Sequence, residues 1–126
     1  MRLSAIPLIL TLALAPTAGF AHGEAPHAAH GGLMQEAQEL WVELVVKGAD
    51  VAVYVTDEAR KPVPATQVSG TATVLVGGQS YKVELSATGG DGVQGRLPAP
   101  VTGSVMATVA LKVGGKAVSA RFTSKA

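Results

Sequence analysis

Two glycine pairs, Gly77-Gly78 and Gly114-Gly115, each stand between two runs of alternating residues, and no other feature constrains the fold as much. Consecutive glycines accept the positive φ angles of the tightest hairpin turns, so each pair predicts two antiparallel strands joined directly. Thr71–Val76 and Gln79–Leu85 flank the first pair, Ser104–Val113 and Lys116–Thr123 the second. The alternation also runs upstream. In Glu39–Lys47, Leu40, Val42, Leu44 and Val46 share one face, with Glu39, Trp41, Glu43 and Lys47 on the other. That period of two marks a strand covered on one side. Gly48-Ala49-Asp50 turns the chain into Val51–Thr56, where the pattern resumes. Residues 57–64 form a loop, because two prolines there would break a ladder. Gly89-Gly90-Asp91-Gly92 leads into a short strand at Val93–Leu97, and Pro98 and Pro100 bound the last hairpin. Leu33–Gln38 fits either a very short helix or the first arm of a small hairpin.

The chain therefore reads as all-β, with about seven strands spaced by roughly 8–12 residues and connections too short for crossover helices. The expected architecture is an antiparallel immunoglobulin-like β-sandwich over residues 33–126, with an open β-barrel as the alternative. Hydrophobic residues at 48% are too many for a disordered chain, and Gly 15 with Pro 7 argues against a helical bundle. Lys+Arg 10 against Asp+Glu 9, with no run of like charge, gives no basic surface for nucleic acid. With Cys 0 there is no disulfide scaffold, thiolate zinc site or thiol catalysis.

The N-terminus reads as an address. Met1-Arg2 is followed by the apolar run Leu3–Leu14 and then by Pro16–Ala21, which ends in the small-x-small pattern of Gly19-Phe20-Ala21. This predicts a cleavable signal peptide over residues 1–21 and a periplasmic or secreted product with no membrane span after cleavage. Residues 22–32 (HGEAPHAAHGG) then read as a flexible arm, small and polar, holding all three histidines of the chain.

Those histidines are the candidate chemistry. His22, His27 and His30 follow an H-x4-H-x2-H spacing. Imidazole is the commonest protein ligand for copper, zinc and their neighbours. Cleavage after Ala21 would give His22 a free α-amine, so that its amine and ring nitrogen chelate one ion together, an arrangement suited to Cu(II). His27 and His30 can share an ion, with Glu24 and Met34 available to complete the shell; the thioether matters only for Cu(I). The plain alternative is that the arm is a spacer. Trp41, with Glu39 and Glu43 beside it, is a candidate partner surface, the plainer alternative being that it packs under Leu33–Gln38; the two carboxylates more often mark a solvated sheet face. Tyr54 is a further aromatic candidate, whereas Tyr81 and Phe122 fall on apolar faces as core. Catalysis is not expected. No histidine lies outside the arm to serve as a base, no phosphate loop is present, and no organic cofactor is implied.

Residues 30–65 carry a further pattern: His30-Gly31-Gly32, then Glu43-Leu44-Val45, then Tyr54-Val55-Thr56-Asp57 and Lys61-Pro62-Val63. This stretch resembles the N-terminal periplasmic module of adaptor subunits of heavy-metal efflux pumps of the resistance-nodulation-division type. It is similar also to small periplasmic proteins of such systems, and Gly70–Leu85 continues the likeness. The resemblance implies a detached module handling a divalent transition metal such as Cu or Zn, as chaperone or buffer, with a metal efflux complex or another periplasmic protein as partner. Of the histidines, only His30 carries over by motif.

Overall fold

The computed structural model describes residues 27–124. The expected signal peptide (residues 1–21) and the candidate ligands His22 and Glu24 lie outside the described residues. Eight strands follow in order: β1 (Leu33–Ala37), β2 (Leu40–Lys47), β3 (Asp50–Thr56), β4 (Val68–Val76), β5 (Gln79–Ala87), β6 (Val93–Arg96), β7 (Met106–Val113) and β8 (Lys116–Thr123). A single 3-10 turn at Ala65–Gln67 precedes β4, and the described residues contain no α-helix. No helix among them is long and apolar enough to cross a membrane.

Every neighbouring pair of strands is antiparallel, and together they make one sheet in the order β1-β2-β3-β6-β5-β4-β7-β8. Its two ends, β1 and β8, come into contact, so the sheet curls almost shut into a barrel. This corrects the expected immunoglobulin-like sandwich. A sandwich needs two sheets packed face to face, whereas here β6 bonds to both β3 and β5 and carries the ladder from one half to the other. Alternation records which residues face inward, and that is the same in a sandwich and a barrel. The curl needs close backbone approach where strands bend. At Gly95 on β6 an added Cβ would meet the Val83 side chain at 2.3 Å and the Glu84 carbonyl oxygen at 2.5 Å, so only glycine fits.

The seven expected strands are present, and Leu33–Ala37 is the eighth. The ambiguous segment resolves as the first arm of a hairpin, paired with β2 from Leu33↔Leu44 to Ala37↔Leu40. Its turn is Gln38-Glu39, both at positive φ (52° and 69°). The glycine pairs turn as expected, with φ of 58° and 86° at Gly77-Gly78 and again at Gly114-Gly115.

The barrel interior is filled by inward residues from all eight strands except β1, whose Leu33 and Ala37 only flank it. Val42 and Leu44 from β2, Val51 and Val53 from β3, Val74 from β4, Val93 from β6, Val109 from β7 and Phe122 from β8 are fully or almost fully buried. Most are β-branched, which suits packing on a pleated surface. Burying each such side chain is worth about 1.5–3 kcal/mol, and this interior holds the outer face of β1–β3 in place.

Candidate functional site

Glu43 breaks the alternation rule. It points to the outer face of β2, opposite to Val42 and Leu44, yet it is 4% exposed and is the buried charged residue among the described ones. The expectation of a solvated sheet face is therefore corrected at Glu43. What covers it is the chain preceding β1. Residues 27–32 lie across the outer face of β2 and β3, where the sequence suggested a free arm.

The arm is held by three contacts to one carboxylate. The backbone N–H groups of His30 and Gly32 donate to Oε2 of Glu43, at 2.9 and 2.8 Å. The ring Nδ1 of His30 lies 2.9 Å from Oε1. An ionised carboxylate only accepts, so Nδ1 carries the proton in this contact. That leaves Nε2 of a neutral ring with its lone pair free. The ring is further fixed by stacking on Tyr54, with centroids 3.6 Å apart and planes within 6°. Tyr54 stands directly opposite Glu43 in the β2–β3 ladder, so hydrogen bond and stack act from neighbouring positions. A buried carboxylate is tolerable only when its oxygens are satisfied, and the arm does this.

The sequence permits the docking at one point above all. Gly32 passes so close to β2 that a Cβ would meet the Leu44 carbonyl oxygen at 2.3 Å and a methyl of Val45 at 2.8 Å. Upstream, the Gly31 N–H donates to the Ala28 carbonyl at 3.1 Å, and Gly31 itself takes φ of 75°. The His30-Gly31-Gly32 triplet thus delivers an imidazole, a left-handed turn residue and a tight crossing in three residues.

Beside this clasp lies a cavity of about 440 Å³, lined among others by His27, His30, Met34, Trp41, Glu43 and Tyr54. Met34 is paired with Glu43 across the β1–β2 ladder, so Met34, Glu43 and Tyr54 form one row over three strands. Trp41 sits two residues from Glu43 on β2, half-buried, in the next row. The far rim includes Arg60, carried by the loop over residues 57–61. Asp57 Oδ1 accepts from the N–H groups of Ala59 and Lys61, both at 2.9 Å, and braces a loop in which Arg60 takes φ of 65°. Arg60, Pro62 and Asp91 complete the wall.

Of the candidates from the sequence, His27, His30, Met34, Trp41 and Glu43 come together around this cavity. Glu39 does not. It lies in the β1–β2 turn and faces a separate hollow with Asp57, Glu58 and Lys116. Among the described residues no three His, Asp or Glu side chains converge to hold one metal ion. Arg60 and Asp91 were not legible as site residues, because their positions depend on how the loops after β3 and β5 fold back.

Comparison with family models, curated proteins and solved structures finds no match.

Proposed function

We propose that this chain is an exported, non-catalytic metal-binding protein, a chaperone or buffer for a transition metal ion such as Cu or Zn in metal homeostasis or efflux. One observation carries the reading. The His30 imidazole has its Nδ1 2.9 Å from a buried carboxylate and its ring stacked on Tyr54, so that in the neutral ring Nε2 is the nitrogen left to bind an ion. Metal-ligating histidines are held in this way, since a carboxylate on the second nitrogen fixes the tautomer and raises the basicity of the first. His27 lines the same cavity, and His22 and Glu24 lie five and three residues before it.

The test is calorimetric titration of the exported protein with Cu(II) and Zn(II). The expected result is about one ion bound per chain, with His22→Ala plus His30→Ala abolishing it. Equal binding by wild type and double variant would overturn the reading.

A second reading has its own observation. Trp41 is half-buried at the wall of an open cavity, a position suited to anchoring a protein partner. As an interaction module the protein would lose partner binding with Trp41→Ala and keep it when the histidines are replaced.

A further inference from the structure

Charge is divided unequally round the barrel. Residues 27–65 and 88–104, which carry β1, β2, β3 and β6, hold seven acids against four bases, a net of −3 with neutral histidines. Residues 66–87 and 105–124, which carry β4, β5, β7 and β8, hold one acid against four bases, a net of +3. In the strand order β2 and β3 stand four places from β4 and β7, so the two halves face opposite ways once β1 and β8 meet. Lys116, in the β7–β8 turn, shares a hollow with Glu39, Asp57 and Glu58. The outer face of the second half keeps Lys82, Lys112 and Arg121 against Glu84.

The basic half also carries the apolar surface. Leu75 and Met106, 37% and 49% exposed, are the exposed large hydrophobic side chains among the described residues. They are direct cross-strand partners on β4 and β7. The neighbouring outward row runs Lys82, Thr73, Thr108, Arg121 across β5, β4, β7 and β8, with a cation at each end. On the acidic half the matching shape is the cavity of about 440 Å³, with Trp41 in its wall and Asp91 on its rim. An unbranched methionine adapts to such a hollow, and a half-buried tryptophan is a favoured anchor for an apolar partner.

We propose that the face of β4 and β7 docks onto the face of β2 and β3 of a second copy of this chain. Leu75 and Met106 meet the cavity beside Trp41, and Lys82 and Arg121 meet its acidic surroundings. The proposal rests on the interaction-module reading above and names the partner as the chain itself. A two-fold dimer through either face would bring like charges together, which the opposite pairing avoids. Because the two faces lie on opposite sides of one barrel, the contact is head-to-tail. Each docked copy presents a fresh face, so copies add in a row and do not close as a pair. Arg60, the cation of the cavity lining, is the like charge that Arg121 must avoid, and this fixes the rotation of one copy on the next.

Sedimentation velocity of the full exported protein, free of metal, tests this over about 1 μM to 1 mM, the range of weak contacts. The average mass should climb with concentration past that of a dimer, and the emission of Trp41, the sole tryptophan, should shift along the same curve. Raising salt from about 0.1 M to about 1 M, which shortens screening from about 10 Å to about 3 Å, should weaken association about tenfold. Met106→Ser plus Arg121→Glu spoils the basic face and keeps the cavity. Trp41→Ala plus Asp91→Lys spoils the cavity and keeps the basic face. Each variant alone should stay monomeric, and an equimolar mixture should form dimers and stop there, since each partner brings one sound face. Asp91→Lys alone, on an exposed loop, replaces the double variant where Trp41→Ala lowers the unfolding midpoint. A monomeric wild type at about 1 mM, variants that associate as wild type does, or a mixture that stays monomeric overturns the proposal. The interaction-module reading then stands only if Trp41→Ala weakens binding of a different protein. The metal reading is decided separately, by Cu(II) and Zn(II) titration of the Met106→Ser plus Arg121→Glu variant, which retains every residue of the cavity.

Discussion

His30 and Glu43 stand thirteen residues apart in sequence and meet through two contacts of 2.9 Å, one from backbone and one from ring. Together with the Gly32 N–H, they turn a polar leader into a strap across β2 and β3. Both the shape of the site and the orientation of its one fixed imidazole depend on this pair.

Glu43→Ala should therefore act on stability and on metal binding at once. The variant leaves the His30 and Gly32 donors without their acceptor, a loss of about 1–3 kcal/mol. A denaturant titration checks this as a lower midpoint at unchanged slope. Glu43→Gln keeps the shape and removes the charge, and should weaken metal binding by about 10–100-fold, the usual effect of losing the carboxylate behind a ligand histidine.

Gly32→Ala tests the docking without touching any polar group. With the Leu44 carbonyl oxygen 2.3 Å from the new methyl, residues 27–32 must lift from the sheet. The expected outcome is faster amide exchange and protease cleavage in that segment, with the far-ultraviolet spectrum of the barrel unchanged.

The stack should separate from the hydrogen bonds by substitution at Tyr54. Tyr54→Leu removes the aromatic face under His30 and should cost about 0.5–1.5 kcal/mol beyond lost area. Tyr54→Phe retains the ring and should retain the stability. Thermal melts of the two variants side by side decide it.

At the β1–β2 turn the expected sign is positive. Gln38 and Glu39 both sit at positive φ, where a side chain costs roughly 1–2 kcal/mol that glycine escapes. Part of the gain is cancelled by the greater freedom of glycine in the unfolded chain. Glu39→Gly should raise stability by about 0.5–1 kcal/mol, seen as a higher unfolding midpoint.

That turn also shows why Leu33–Gln38 stayed ambiguous in the sequence between a short helix and a hairpin arm. The other hairpins announce themselves by glycine, but Gln38-Glu39 has the composition of a helix and adopts the same turn geometry against its own preference. Seven strands were legible because inward valines and leucines recur at every second residue, and Phe122 fell in the core as its face required. Barrel closure was not legible, since it depends on β6 pairing with both β3 and β5, a long-range choice no local pattern encodes. At the site, the types of His27, His30, Met34 and Trp41 were visible, but their meeting was not. Glu43 misled for a definite reason. A carboxylate at an outward position reads as solvated unless something covers it, and the cover comes from residues that look like loose leader.

The ends of the sheet carry one further consequence. β1 and β8 touch, yet they are the two termini of the hydrogen-bonded order and not neighbours in it. A cask with one unglued joint gives first at that joint, and the stave beside it is the five-residue β1, which bears Met34. Amides of β1 should thus exchange ahead of those in β4 and β7, each bonded on both sides. One wall of the cavity is hung on the part of the barrel that breathes, while the wall bearing His30 is fastened to its stiff interior strands. Anything that touched both walls would tie the moving stave to the fixed ones.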